Sequence, residues 1–163
     1  MGEVTADIID VAYKLRELEA ESIPVNFLIP IEGNTVKNVS ELSPEFCLRI
    51  LCLYRFLNPT SELRVAAGRE IHLRSMEVMA LYPANSLFLE GYLNTRGTDA
   101  LKTLQMIKDA GFTIKSEKNL EDLLMNEKAK KGEPLSVVDN VLMKNLSDLR
   151  PYMPQPSERS ERV

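Results

Sequence analysis

Three short apolar runs punctuate the first ninety or so residues of the chain, each bounded by proline, glycine or polar residues, with helically spaced stretches before and between them. The first, Ser22-Ile-Pro-Val-Asn-Phe-Leu-Ile-Pro30, places Ile23, Val25 and Phe27 at odd positions and Ser22, Pro24 and Asn26 at even ones. The second, Leu63-Arg-Val-Ala-Ala67, ends at Gly68; the third, Ser86-Leu-Phe-Leu-Glu90, ends at Gly91. Runs of this length closed by turn residues predict buried strands. Ahead of the first run, Ile8, Ile9, Ala12, Leu15 and Leu18 form an apolar stripe at helical spacing, with Thr5 as the expected N-cap. Residues 31–42 read as a polar connection. Ser43 and Pro44 then supply an N-cap and a first helical position for a helix running to about Leu57. Further helices are predicted over Leu73–Tyr82 and, after a loop at Asn94–Gly97, over Asp99–Ala110, with Gly111 as C-terminal glycine.

The resulting order, α-βα-βα-βα, predicts a parallel sheet covered by helices. Side-chain parity sharpens this. One set of strand positions (Ile23, Val25 and Phe27; Leu63 and Val65; Leu87 and Leu89) is apolar and should face helices. The opposite set holds Ser22 and Asn26, Arg64 and Ala66, Ser86 and Phe88, so each strand offers a polar group on the face that a barrel turns inward. A barrel filled for stability alone prefers Val, Ile and Leu there. The polar positions therefore predict either a ligand-holding cavity or a mutually satisfied polar cluster around one internal salt bridge. Arg64 decides between them, because a guanidinium in a buried strand needs a carboxylate or another anion.

Beyond about Ser116 the periodicity weakens. Leu120–Ala129 allows a helix, KAKKGEP is a polar breaker, and PYMPQPSERSERV has the composition of a disordered tail. The expected division is a folded domain over residues 1–115 and a weakly helical, then disordered, segment over 116–163.

Composition adds exclusions. A hydrophobic content of 44% with 27% charged residues suits a soluble chain with a core. The net charge of -4, without a Lys/Arg block, argues against nucleic acid as a partner. No apolar run is long enough for a membrane span, and the acidic start MGEVTADIID is unlike a signal peptide, so a cytoplasmic location is expected. Cys47 and Cys52 read as reduced cysteines in the core of one helix. His72 is expected on a helix surface, Arg69 and Glu70 as a charge pair at a helix start, and Met76, Met79 and Met106 in the core.

Three segments carry a family resemblance: SIPVNFLIPIEGN, LSPEFCLRILCLYRFLNPTSELRVAAGREIHL and ANSLFLEGYLNTRG. Over about residues 1–115 the chain resembles the C-terminal half of biotin synthase, a radical S-adenosylmethionine (SAM) family built on a (β/α)8 TIM-type barrel. The resemblance extends to the region shared with thiamin synthesis. It implies a partial barrel, from the last helix of the fifth unit through units six to eight. It also implies roles: Arg64 as an unusual ligand of a 2Fe-2S cluster, Ser22 and Ser86 in the surroundings of that arginine, and Asn26 with the backbone near Ile29 on the substrate and SAM side. In the family a 4Fe-4S cluster and SAM generate the radical, dethiobiotin is the substrate, and sulfur from the second cluster enters biotin.

The family's C-x-x-x-C-x-x-C motif and its other cluster cysteines are not in this sequence, and Cys47 and Cys52 match none of them. The expectation is a C-terminal biotin synthase segment, truncated, split or internally initiated, inactive without an N-terminal half. The alternative is a non-enzymatic half-barrel or split-enzyme subunit that pairs with a separate cysteine-bearing chain or with itself. If the chain acts alone, a buried and unpaired Arg64 predicts that Arg64→Met is tolerated or stabilising.

Overall fold

The run containing Arg64 forms the central strand of a three-stranded parallel sheet. The structure is a computed structural model that describes residues 3–29, 42–89 and 99–131, all within the first of two compact units, Met1–Glu133. Strands β1 (Ser22–Val25), β2 (Glu62–Val65) and β3 (Ser86–Leu87) lie in the order β1-β2-β3. The register pairs Ser22 with Glu62, Ile23 with Leu63 and Arg64 with Ser86. Parallel contact continues past the strand ends. Ala66 N–H donates to the Val25 carbonyl at 3.0 Å, and Phe27 N–H donates to the Ala67 carbonyl at 2.9 Å.

Helices α1 (Thr5–Glu17), α2 (Pro44–Leu57), α3 (Arg69–Leu73), α4 (Ala100–Asp109) and α5 (Leu120–Lys131) alternate with the strands, and a 3-10 helix spans Arg74–Leu81. The α-βα-βα-βα order expected from the sequence is present, extended by α5. Ser43 caps α2 as predicted, its hydroxyl accepting from Phe46 N–H at 3.2 Å, and Pro44 is the first helical residue. Asp99 caps α4 through Leu101 N–H, and Gly111 follows that helix at φ +75°.

The apolar parity set faces the helices. Ile23, Phe27, Leu63 and Val65 pack with Cys47 and Leu51 of α2 and with Leu73, Ala80 and Ala84. Each large side chain buried this way stabilises the fold by about 1.5–3 kcal/mol relative to exposure. Gly68 closes β2 against β1. Its φ is +82°, and a Cβ placed there would lie 2.1 Å from the Phe27 carbonyl oxygen, so this approach of the two chains needs glycine.

Several expectations are corrected. Thr5 lies inside α1, and its start is capped by the Asp7 carboxylate accepting from Val4 N–H at 3.0 Å. Leu18 does not continue the buried stripe; it is 77% exposed, because the helix stops at Glu17. The predicted helix over Leu73–Tyr82 is two elements, joined at Arg74, which sits at φ +52°. Its second part is a 3-10 helix with three residues per turn, so positions spaced for an α-helix do not share a buried face. Met76 and Met79 are exposed as a result, and Met106 is half-buried. Cys47 is buried and Cys52 only partly so. The strand segments at Pro30 and Glu90, residues 31–41 of the polar connection, the Asn94–Gly97 loop and the tail lie outside the described residues.

Candidate functional site

Alternation along β2 puts Glu62 and Arg64 on one face of the sheet, two residues apart. The parallel register then sets Ser22 beside Glu62 and Ser86 beside Arg64. The four side chains form one row across all three strands. Arg64 Nε donates to Ser86 Oγ at 2.9 Å, and Arg64 Nη2 pairs with the Glu62 carboxylate. The guanidinium also lies 5.6 Å from the centre of the Phe88 ring, within range of a cation–π contact.

Hydrogen bonding from Arg64, reinforced by Ser86 and Ser22, holds the Glu62 carboxyl below its usual range despite some desolvation. The parity prediction thus succeeds in bringing Ser22, Arg64 and Ser86 together. The burial prediction for Arg64 does not: its side chain is 34% exposed and Glu62 is its counter-ion. Of the two readings open in the sequence, the described residues form the mutually satisfied cluster. The premise that Arg64→Met would relieve an unpaired buried charge is therefore removed. Instead, Arg64→Met should release Glu62, whose carboxyl should titrate back toward 4.5, the ordinary value. A group with a lowered folded pKa contributes stability that is present above its unfolded value and is lost as pH falls through the folded one. That acid-side contribution should vanish in the variant. NMR titration of the Glu62 carboxyl carbon checks this, and an unmoved midpoint would contradict it.

Asn26 lies on the same face at the late end of β1, where its Oδ1 accepts from Ala67 N–H at 3.2 Å. Ile29, half-buried, follows three residues on. Ser22, Arg64 and Ser86 lie in the paired strands, while Asn26 and Ile29 lie beyond the carboxyl end of β1. Active sites of parallel α/β sheets collect at that end.

Three functional or structural side chains were missed in the sequence. Glu62, at the first position of β2, was given no role. Arg69 does pair with Glu70 at the start of α3 as expected, but its burial, at 2% exposure, and its further partners were not foreseen. It pairs with Glu77 at 3.0 Å and Glu70 at 3.5 Å, and donates to Thr103 Oγ1 of α4 at 3.0 Å. Desolvation raises the Glu77 carboxyl, with Arg69 opposing the rise. His72 is not a surface residue but is 4% exposed, with Nε2 2.8 Å from the Leu28 carbonyl oxygen. The contacts that bury them are not local: Thr103 lies 34 residues from Arg69 and Leu28 lies 44 residues from His72. A cavity of about 290 Å³ lies on the helix-facing side, lined by Val65, Arg69, Ala80, Leu87, Met106 and Phe112. Ser86 of the polar row also borders it.

The donor set does not by itself fit an iron–sulfur cluster. Among the described residues no group of three or more His, Cys, Asp or Glu is placed to hold a metal. Cys47 packs in the core on the helix side, and burial pushes its thiol up to about 11, so it is not a thiolate at neutral pH. The polar row offers one arginine and no thiolate. Among the described residues, no helix is long and apolar enough to cross a membrane.

Residues 24–113 match the biotin and thiamin synthesis associated domain family. The chain is 56% identical over 120 residues to a biotin synthase from Acaryochloris marina, covering 74% of this chain and 35% of that protein. It is 58% identical over 112 residues to a biotin synthase from Leptospira interrogans, covering 69% and 32% respectively. For a biotin synthase from Streptomyces avermitilis the identity is 51% over 114 residues, covering 70% and 29%. The chain spans about a third of the length of the curated relatives it matches.

Proposed function

The chain belongs to the biotin and thiamin synthesis associated domain family, and from that premise we propose that it is the C-terminal part of a biotin synthase barrel. In this reading the domain over residues 1–115 supplies the last strands of a (β/α)8 barrel, and residues 116–163 are an appendage. The assembled cytoplasmic enzyme is a radical SAM protein that converts dethiobiotin to biotin by inserting sulfur. The observation that carries the reading is the row of Ser22, Arg64 and Ser86 on the face of a parallel sheet opposite its packed apolar face, with Asn26 beyond its carboxyl end. A barrel would turn that face inward.

The role assigned to each residue follows its place. Arg64 would present its guanidinium to the 2Fe-2S cluster, with Ser22 and Ser86 holding its surroundings. Asn26 and the backbone at Ile29 would meet SAM and substrate. The cysteine ligands of both clusters have to come from an upstream segment, in the same chain or a separate one. No catalytic step is assigned to this chain alone.

The test is iron binding. Reconstituted anaerobically by itself, the chain should bind no stoichiometric iron. Joined or co-expressed with an upstream segment carrying C-x-x-x-C-x-x-C and the further cysteines, it should form part of an iron-loaded complex. Stoichiometric iron on the chain alone would contradict the reading.

A second reading is favoured by the pairing of Arg64 with Glu62. Because the polar row satisfies its own charge, the half-barrel can persist without a cluster. It would then serve as a non-enzymatic unit pairing through the edges of β1 and β3, with a partner chain or as a homodimer. Association without iron, unaffected by Arg64→Met, would favour it.

A further inference from the structure

We propose that His72 is a positioning residue for the rim formed by Asn26–Ile29. In a trans peptide the carbonyl of one residue and the N–H of the next point in opposite directions. His72 Nε2 lies 2.8 Å from the Leu28 carbonyl oxygen, and that oxygen can only accept, so the nitrogen carries the proton and donates. The Leu28 carbonyl is thereby turned toward α3, and the N–H of Ile29 is turned the other way.

Three further contacts fix the same segment from the β2–α3 junction. Ala67 N–H donates to Asn26 Oδ1 at 3.2 Å, Phe27 N–H donates to the Ala67 carbonyl at 2.9 Å, and Gly68 lets the Phe27 carbonyl approach. The Phe27 and His72 rings pack with their centres 6.3 Å apart. Each of these anchors ends at Phe27 or before it. The His72 bond reaches one residue further, to the Leu28 carbonyl, and through the trans peptide it bears on the direction of the Ile29 N–H. His72 is 4% exposed and does not touch a ligand at the rim; it acts through the backbone it holds. Its link to SAM rests on the biotin synthase reading, whereas its hold on the rim does not.

The test compares His72→Leu with His72→Gln. Both lose the ring packing against Phe27, so both should lower thermal stability to a similar degree. Only glutamine keeps an N–H donor near the position of Nε2. In the full chain, His72→Leu should speed amide hydrogen exchange at Phe27 and Ala67, whose N–H groups are bonded within this junction, by about tenfold or more, with β2 unchanged, and His72→Gln should restore most of the protection. In an iron-loaded enzyme completed by the upstream segment, His72→Leu should raise the KM for SAM by about tenfold, with a smaller change in kcat. Exchange at the rim unaltered in His72→Leu, or equally fast in His72→Gln, would overturn the assignment. Rim loosening accompanied by no SAM binding in any completed form would count against the biotin synthase reading and leave the positioning role supported.

Discussion

Gly68→Ala should destabilise the fold by about 3–5 kcal/mol, a large part of a domain's typical stability. Two effects add. An alanine at φ +82° is held in the left-handed region, which costs about 1–2 kcal/mol. Its Cβ would also sit 2.1 Å from the Phe27 carbonyl oxygen. That neighbour is backbone, so relief requires β1 and β2 to part beyond Val25 and breaks the Phe27–Ala67 hydrogen bond. The expected fall in melting temperature is about 10–15 °C, read by circular dichroism. A fall of only a degree or two would mean that the strands do not approach as described. Asn26 should also lose its hold on Ala67, coupling this stability loss to the rim.

Arg69→Met should cost about 3 kcal/mol at pH 7, because it leaves Glu77 half-buried without its cation and unties Thr103. The pH dependence identifies the cause. Burial raises the Glu77 carboxyl and Arg69 opposes the rise, so removing Arg69 raises it further. A carboxyl whose folded pKa lies above its unfolded value contributes stability that is full below the unfolded value and lost as pH rises through the folded one. The deficit of Arg69→Met relative to wild type should therefore be largest near neutrality and shrink as pH falls toward 4.5. Replacing both partners, Arg69→Met with Glu77→Leu, should recover most of the loss, since an apolar pair of similar volume needs no counter-charge. Urea unfolding at several pH values checks both statements. A pH-independent deficit would place the cost in packing instead.

These two residues mark what the sequence could and could not reveal. Strand parity was legible because a period of two is a local property: Ile23, Val25, Phe27, Leu63 and Val65 face the helices as their spacing required. Ser43-Pro44 and Asp99 were legible as helix starts because capping uses neighbours in sequence. The grouping of Ser22, Arg64 and Ser86 followed from parity together with a parallel register. What escaped was long-range or conformational. Arg69 and His72 look like ordinary polar residues at a helix start, and only tertiary packing buries them. The change from α3 to the 3-10 helix occurs at Arg74 without a glycine or proline to announce it, which misplaced Met76 and Met79. Glu62 was overlooked because it stands at the first position of its strand, where a polar residue is unremarked. It proved to be the counter-ion of the arginine on which the site is built.

Under the proposed function this chain supplies one wall of a biotin-forming barrel, and the cysteine-bearing wall comes from upstream. The most direct measurement is biotin formed from dethiobiotin, anaerobically with SAM and a reductant, by the chain alone, by the upstream segment alone, and by the two joined or co-expressed. Biotin should appear only when both are present, and should be lost on Asn26→Ala in the joined form. Turnover by either part alone, or none from an iron-loaded combination, would contradict the account.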